Sequence, residues 1–99
     1  MIGKFQKIVN SNRPVLVDFY ADWCAPCKQI PPILKQLKEE LKEQIRIIKV
    51  DVDKNQNIAA KYQIRSIPTI MLFKNGEPKW TGTGVHSASE LKIIVQQHI

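Results

Sequence analysis

Long hydrophobic runs, histidine and spare cysteine are what this 99-residue sequence has least of, and each shortage excludes something. No apolar stretch approaches the ~18 residues that cross a bilayer, so no membrane role is expected. The opening residues, Met1-Ile2-Gly3-Lys4-Phe5-Gln6-Lys7, have neither a continuous apolar core nor a small-residue cleavage site, so no secretory signal is read there. A reducing cytoplasm is the expected compartment. Only His86 and His98 are available to join the two cysteines around zinc, and their separation falls outside the usual ligand spacing, so no metal site is expected. Internal repeats, linkers and low-complexity segments are also missing. The length suits one compact domain over residues 1–99 and is too short for two.

Fifteen Lys and Arg against nine Asp and Glu leave a net charge of +6, scattered along the whole chain. Lys35, Lys38 and Lys42 form a regular series, but Glu39, Glu40 and Glu43 interleave with them, which reads as a solvated helix face. No aromatic residue stands in that series, so nucleic acid is not an expected partner. The surplus charge biases the choice among protein partners.

What the sequence does have is Trp23-Cys24-Ala25-Pro26-Cys27, with both cysteines three positions apart. With Cys24 at the first turn of a helix, this spacing brings the side chains onto one face, within disulfide reach. A sulfur at a helix N-terminus also meets unpaired N–H groups and the positive end of the dipole, which favour thiolate over thiol. A loop this short removes little unfolded-chain entropy on closing, so a structural staple is poorly motivated. Redox exchange is the preferred reading over zinc or a staple.

Around this stretch the pattern is α/β. Apolar residues at helical spacing over 4–11 predict a short first helix. Pro14-Val15-Leu16-Val17-Asp18-Phe19-Tyr20 reads as a strand buried on both faces. A long amphipathic helix follows over about 26–43, with Pro31 and Pro32 predicting a kink near Ile30. Ile45-Arg46-Ile47-Ile48-Lys49-Val50-Asp51 is the second strand, parallel to the first. A short helix is expected over 57–62. Two strands over 69–74 and 77–81 meet at Asn75-Gly76, a tight hairpin turn, and Pro78 puts the last strand at an edge. Ser87 or Ser89 caps a final helix with Leu91, Ile94 and Val95 inward. The predicted fold is a three-layer α/β domain: a four-stranded mixed sheet in the order second, first, third, fourth, with helices on both faces.

The Trp23-Cys24-Ala25-Pro26-Cys27 stretch after an apolar strand, Ile67-Pro68-Thr69 opening another, and Phe73-Lys74-Asn75-Gly76-Glu77 as hairpin together resemble the thioredoxin family. The resemblance runs from about Phe5 to the C-terminus. It implies a protein-disulfide reductase in which Cys24 is the nucleophile, Cys27 resolves the mixed disulfide, Asp18 accepts the Cys27 proton and Lys49 partners Asp18. Read from their residues alone, Asp18 is a satisfied buried polar residue in preference to an unpaired carboxylate with a raised pKa, and Lys49 is a lysine snorkelling outward from an apolar strand; the resemblance reverses the preference for Asp18. The resemblance further implies a cis Pro68, with Trp23, Ala25, Pro26, Ile67, Pro68, Gly84 and Val85 contacting the substrate. No cofactor need be bound. Electrons would come from an NADPH-dependent thioredoxin reductase, in the service of electron transport and cell redox homeostasis, and the partners would be disulfide-containing proteins.

Two departures from the family pattern stand out. Ala25 occupies a position that is usually Gly, which bears on redox tuning and partner fit. Only Met1-Ile2-Gly3 precede the first helix, where the family usually has a strand; a monomer is expected, with the Ile45 to Asp51 edge offering a dimer contact. The rival readings are a disulfide oxidase or isomerase of the same fold and a redox-independent binding module. Pro26 favours the reductant, since oxidising relatives often carry His there. Trp80 reads as a sheet-surface or core aromatic, and His86 and His98 as ordinary surface histidines.

Overall fold

In the computed structural model, which describes residues 2–99, the centre of the molecule is the strand predicted from the nearly continuous apolar run over 14–20. This strand, β1 (Val15–Tyr20), is buried along nearly its whole length. It pairs in parallel with β2 (Arg46–Asp51) and antiparallel with β3 (Thr69–Lys74), which in turn pairs antiparallel with β4 (Glu77–Thr83). The sheet order β2-β1-β3-β4 is the predicted one. Asn75 and Gly76 turn the hairpin with φ of 54° and 80°, the positive values that a two-residue turn of this hand requires.

Four helices, α1 (Ile2–Val9), α2 (Ile30–Leu41), α3 (Gln56–Lys61) and α4 (Ala88–Gln96), cover the two faces. Alternation along the strands divides the core accordingly. Leu16, Ile70 and Leu72 face Leu34, Leu37, Leu91 and Val95 of α2 and α4. Val15, Val17, Phe19 and Phe73 face Phe5, Val9 and Ile58 of α1 and α3. In the second cluster Phe73 meets Phe5 and Tyr62 edge-on, with centroids 5.6 and 5.2 Å away, and the Phe5 and Tyr62 rings are tilted at 5.7 Å.

Several boundaries move. The first helix begins at Ile2, two residues before the expected start, and ends at Val9; Met1, part of the N-terminal segment read above, lies outside the described residues. The expected helix over 26–43 is three pieces: a 3₁₀ turn at Pro26–Gln29, then α2, then a 3₁₀ turn at Lys42–Gln44. The kink expected near Ile30 is therefore a change of helix type. With Gln29 as N-cap, Pro31 and Pro32 fall in the first turn of α2, where their missing N–H groups have no carbonyl to meet. The last strand runs on to Thr83. Its Gly82 is closely overlain by the Trp80 and His86 rings, and a side chain there would collide with both.

Candidate active site

The tight turn after β1 delivers Trp23 and Cys24 to the end of the sheet, and the 3₁₀ turn at Pro26–Gln29 carries Cys27 back beneath them. Ala25 is the N-cap of that turn, so Cys24 stands just ahead of the helix rather than in it. Cys24 and Cys27 are joined by a disulfide with Cα atoms 5.3 Å apart. The Cys27 backbone N–H donates to Cys24 Sγ at 3.2 Å. A backbone donor at this distance favours negative charge on the Cys24 sulfur. Ala25 has φ −63° and ψ −47°, so its methyl is carried without backbone strain.

Both sulfurs are covered. Cys24 is 3% exposed and Cys27 5%, with Ala21, Tyr20, Val52 and Ile67 packed against them. Trp23 is the exposed neighbour, at 71%. Its indole Nε1 donates to Asp53 Oδ2 at 2.9 Å, which holds the ring at the rim of the disulfide. Asp53 is itself fixed by Asp51, whose Oδ1 accepts from the Asp53 and Lys54 amides at 2.9 and 3.3 Å. The sequence reading overlooked this pair. The signal for it is the Asp51-Val52-Asp53-Lys54-Asn55 turn, in which an Asp side chain commonly caps the amides that follow.

On the other side of the disulfide, the Ile67–Pro68 peptide is cis. Ile67 packs on the cysteines, and the Pro68 carbonyl accepts from Gly84 N at 2.9 Å, which ties the β4–α4 loop to this edge. Gly84 has φ 83°, a conformation suited to Gly, and Val85 beyond it is 43% exposed. Trp23, Ala25, Pro26, Ile67 and Val85 are thus the apolar side chains of the expected contact set that are open to solvent or half open, while Pro68 is buried.

Asp18 lies within β1 at 1% exposure, and both of its carboxylate oxygens are buried without a hydrogen-bond partner. Burial pushes its pKa up to about 6, against the opposing pull of the Lys49 ammonium. Lys49 sits opposite Asp18 in the β1–β2 register, but the two form no ion pair within 4 Å. The Lys49 ammonium instead lies 4.5 Å from the centre of the Tyr20 ring. A cavity of about 150 Å³ lined by Tyr20, Asp22, Cys27, Pro31 and Lys49 opens beside the second cysteine. Lys49 therefore touches both the buried carboxylate's field and the space next to Cys27, whereas Asp18 does not line that space.

His86 departs from the surface role expected of it. Its ring is half-buried and meets Trp80 edge-on at 5.3 Å, and its Nδ1 is buried without a partner. His98 caps the last helix instead, with Nδ1 2.9 Å from the Ile94 carbonyl. Among the described residues no group of three or more His, Cys, Asp or Glu side chains is arranged to hold a metal ion.

The site is thus a closed Cys-x-x-Cys disulfide at the end of a parallel strand, beside a proline-led strand. The family model described as thioredoxin matches residues 2–97. Thioredoxin from Rickettsia felis is 49% identical over 86 residues, which are 87% of this chain and 82% of that one. Thioredoxin from Rickettsia bellii is 45% identical over the same shares. The chain belongs to the thioredoxin family. Among solved structures, a thioredoxin mutant from Halobacterium salinarum superposes with a TM-score of 0.87 at 34% identity, covering 97% of this chain and 83% of that one. Oxidised mitochondrial thioredoxin 3 of Saccharomyces cerevisiae gives 0.87 at 29% identity, covering 97% and 89%. This thioredoxin-family chain is a thiol-disulfide oxidoreductase of the protein-disulfide reductase type, and Cys24–Cys27 fits the family's active-site pair.

Proposed function

We propose that the chain reduces disulfides in partner proteins by a two-step exchange at Cys24 and Cys27, with the remaining site residues in the roles that follow. The Cys24 thiolate attacks one sulfur of the partner's disulfide; a Cys24–partner disulfide forms and the partner's other sulfur leaves as thiolate and takes up a proton. The Cys27 thiol passes its proton toward Asp18, and the resulting thiolate attacks Cys24 Sγ. The partner's second sulfur is released, two electrons have passed to the partner, and the Cys24–Cys27 disulfide remains. The observation that carries this reading is the Cys27 N–H donated to Cys24 Sγ, which makes Cys24 the sulfur better able to hold negative charge.

Lys49 holds down the charge cost of Asp18 ionisation across the strand pair, and water between Cys27 and Asp18 relays the proton. Trp23, Ala25, Pro26, Ile67, Pro68, Gly84 and Val85 form the contact edge on which an extended partner segment lies. Reducing equivalents come from an NADPH-dependent thioredoxin reductase, and the chain works as a single domain, residues 1–99, in the electron transport of a reducing cytoplasm. It carries no bound cofactor.

The test is Cys24→Ser and Cys27→Ser measured side by side. Loss of disulfide reduction in both, with covalently trapped partners only in Cys27→Ser, is the expected result. Full cellular function of Cys24→Ser would instead favour a redox-independent binding module. A reduction potential for the pair at or above that of glutathione would favour the oxidase or isomerase.

A further inference from the structure

We infer that Tyr20 is a positioning residue for the second exchange step: its ring holds the Lys49 ammonium beside Cys27 and withholds it from Asp18. This deepens the reductant reading and rests on its assignment of Asp18 as acceptor of the Cys27 proton. Lys49 stands opposite Asp18 in the β1–β2 register, and Tyr20 lies two residues further along β1. Side chains two apart on a strand share a face, so Lys49 has two neighbours on β1 within reach, a carboxylate beside it and a ring one step along. The ammonium goes to the ring, 4.5 Å from its centre, and both Asp18 oxygens are left without a partner.

The two destinations cost the charge differently. Asp18 is buried, and its neighbour on the β3 side is the buried Ile70, so an ion pair there would strip water from the ammonium. Tyr20 is half-buried, and its ring face attracts a cation that keeps part of its hydration. The ring also packs against the cysteine pair, and Tyr20, Cys27 and Lys49 line one cavity, whose other charged residues are Asp22 and Lys28. Lys49 is the charged group whose field acts on Asp18; from over the ring its pull is weaker than the push of burial, and the carboxyl keeps its proton to about pH 6. Contact would reverse that balance, since an opposite charge at about 4 Å lowers a carboxyl by about 1 to 3 pH units. Asp18 paired in this way would be a poor proton acceptor near neutrality.

NMR of the unaltered, oxidised protein is the first measurement. The Lys49 protons next to the ammonium are expected to be displaced upfield by the Tyr20 ring, and ordinary lysine shifts would overturn the proposal. The Asp18 carboxyl carbon is then titrated in two variants. In Tyr20→Leu the ammonium is released, and the Asp18 midpoint should fall by about one pH unit or more. Tyr20→Phe keeps the ring face and should titrate as the parent does. With Lys49→Gln already in place, Tyr20→Leu should move the midpoint no further. An unchanged midpoint in Tyr20→Leu would overturn the proposal, as would an equal fall with Lys49 replaced, because the ring would then act through burial alone. Single-turnover resolution of a mixed disulfide across pH keeps the two readings apart. A Tyr20→Leu rate profile that follows the shifted midpoint supports both; an unmoved profile beside a shifted midpoint removes Asp18 as the acceptor and leaves Tyr20 as the holder of Lys49.

Discussion

Asp18 is the residue whose environment departs furthest from what its chemistry prefers. A carboxylate with both oxygens buried and unpartnered keeps its proton to about pH 6, whereas in the unfolded chain it loses it near 3.8. The folded state therefore binds more protons between those values. Its stability is fully present below about pH 4 and falls as pH rises through 6, by about 3 kcal/mol once the group is ionised in both states. Asp18→Asn removes the ionisation and nearly keeps the shape. Urea denaturation should find this variant more stable than the parent by about 2 to 3 kcal/mol at pH 7, and equal to it near pH 4. Equal stabilities at both values would mean that Asp18 does not titrate as its burial dictates. On the proposed transfer of the Cys27 proton toward Asp18, the same variant should also resolve mixed disulfides more slowly at pH 7. Retained Asp18 is thus a stability cost tolerated at the site of the chemistry. Its burial was readable from the apolar run around it. The position of Lys49 over the Tyr20 ring was not, because that contact depends on which way a flexible side chain leaves the edge strand.

At the scale of elements, the strands and the hairpin were legible because their signals are local: an apolar run broken only by Asp18 for β1, an Asn-Gly pair for the β3–β4 turn. The prolines of α2 were misplaced for a related reason. Periodicity over 26–43 treats the segment as one helix, and only the 3₁₀ turn at Pro26–Gln29 shifts Pro31 and Pro32 into a first turn that accepts them. The Trp23–Asp53 bond spans thirty residues, and nothing local announces it. The start of α4, by contrast, was foreseen at Ser87 or Ser89, and the structure selects Ser87. Its hydroxyl accepts from Glu90 N at 3.1 Å while Glu90 Oε1 accepts from Ser87 N at 3.3 Å, a closed capping box. The Lys92 ammonium then ties α4 to α2 through Glu40 at 3.2 Å, and this hydrogen bond holds the Glu40 carboxyl below its usual range. Ser87→Ala leaves the Glu90 amide in the first turn of α4 without its partner and should lower the unfolding free energy by about 1 kcal/mol. Chemical denaturation measures it, and Ser87→Asp, which can cap in its place, should restore most of the loss. A Ser87→Ala variant as stable as the parent would show that water replaces the cap at no cost.

For the whole molecule the deciding quantity is charge relative to size. A net +6 is carried on a body of 30 × 29 × 17 Å. At an ionic strength of about 0.01 M the screening length, about 30 Å, matches the molecule, so an approaching protein meets the field of the whole chain. At about 1 M it shrinks to about 3 Å, and only charges in contact are felt. Encounter with an acidic disulfide-bearing protein should therefore be fast at low salt and slow by about tenfold or more as salt is added, while a basic substrate should respond in the opposite sense. Stopped-flow reduction of one acidic and one basic substrate across that salt range, under conditions where attack by Cys24 limits the rate, separates the two. Opposed slopes are expected, because the exchange step itself moves charge between buried sulfurs and is shielded from bulk ions. Parallel slopes would place the salt effect in the thiolate chemistry at Cys24 instead, and would remove net charge as a determinant of which partners this chain reduces first.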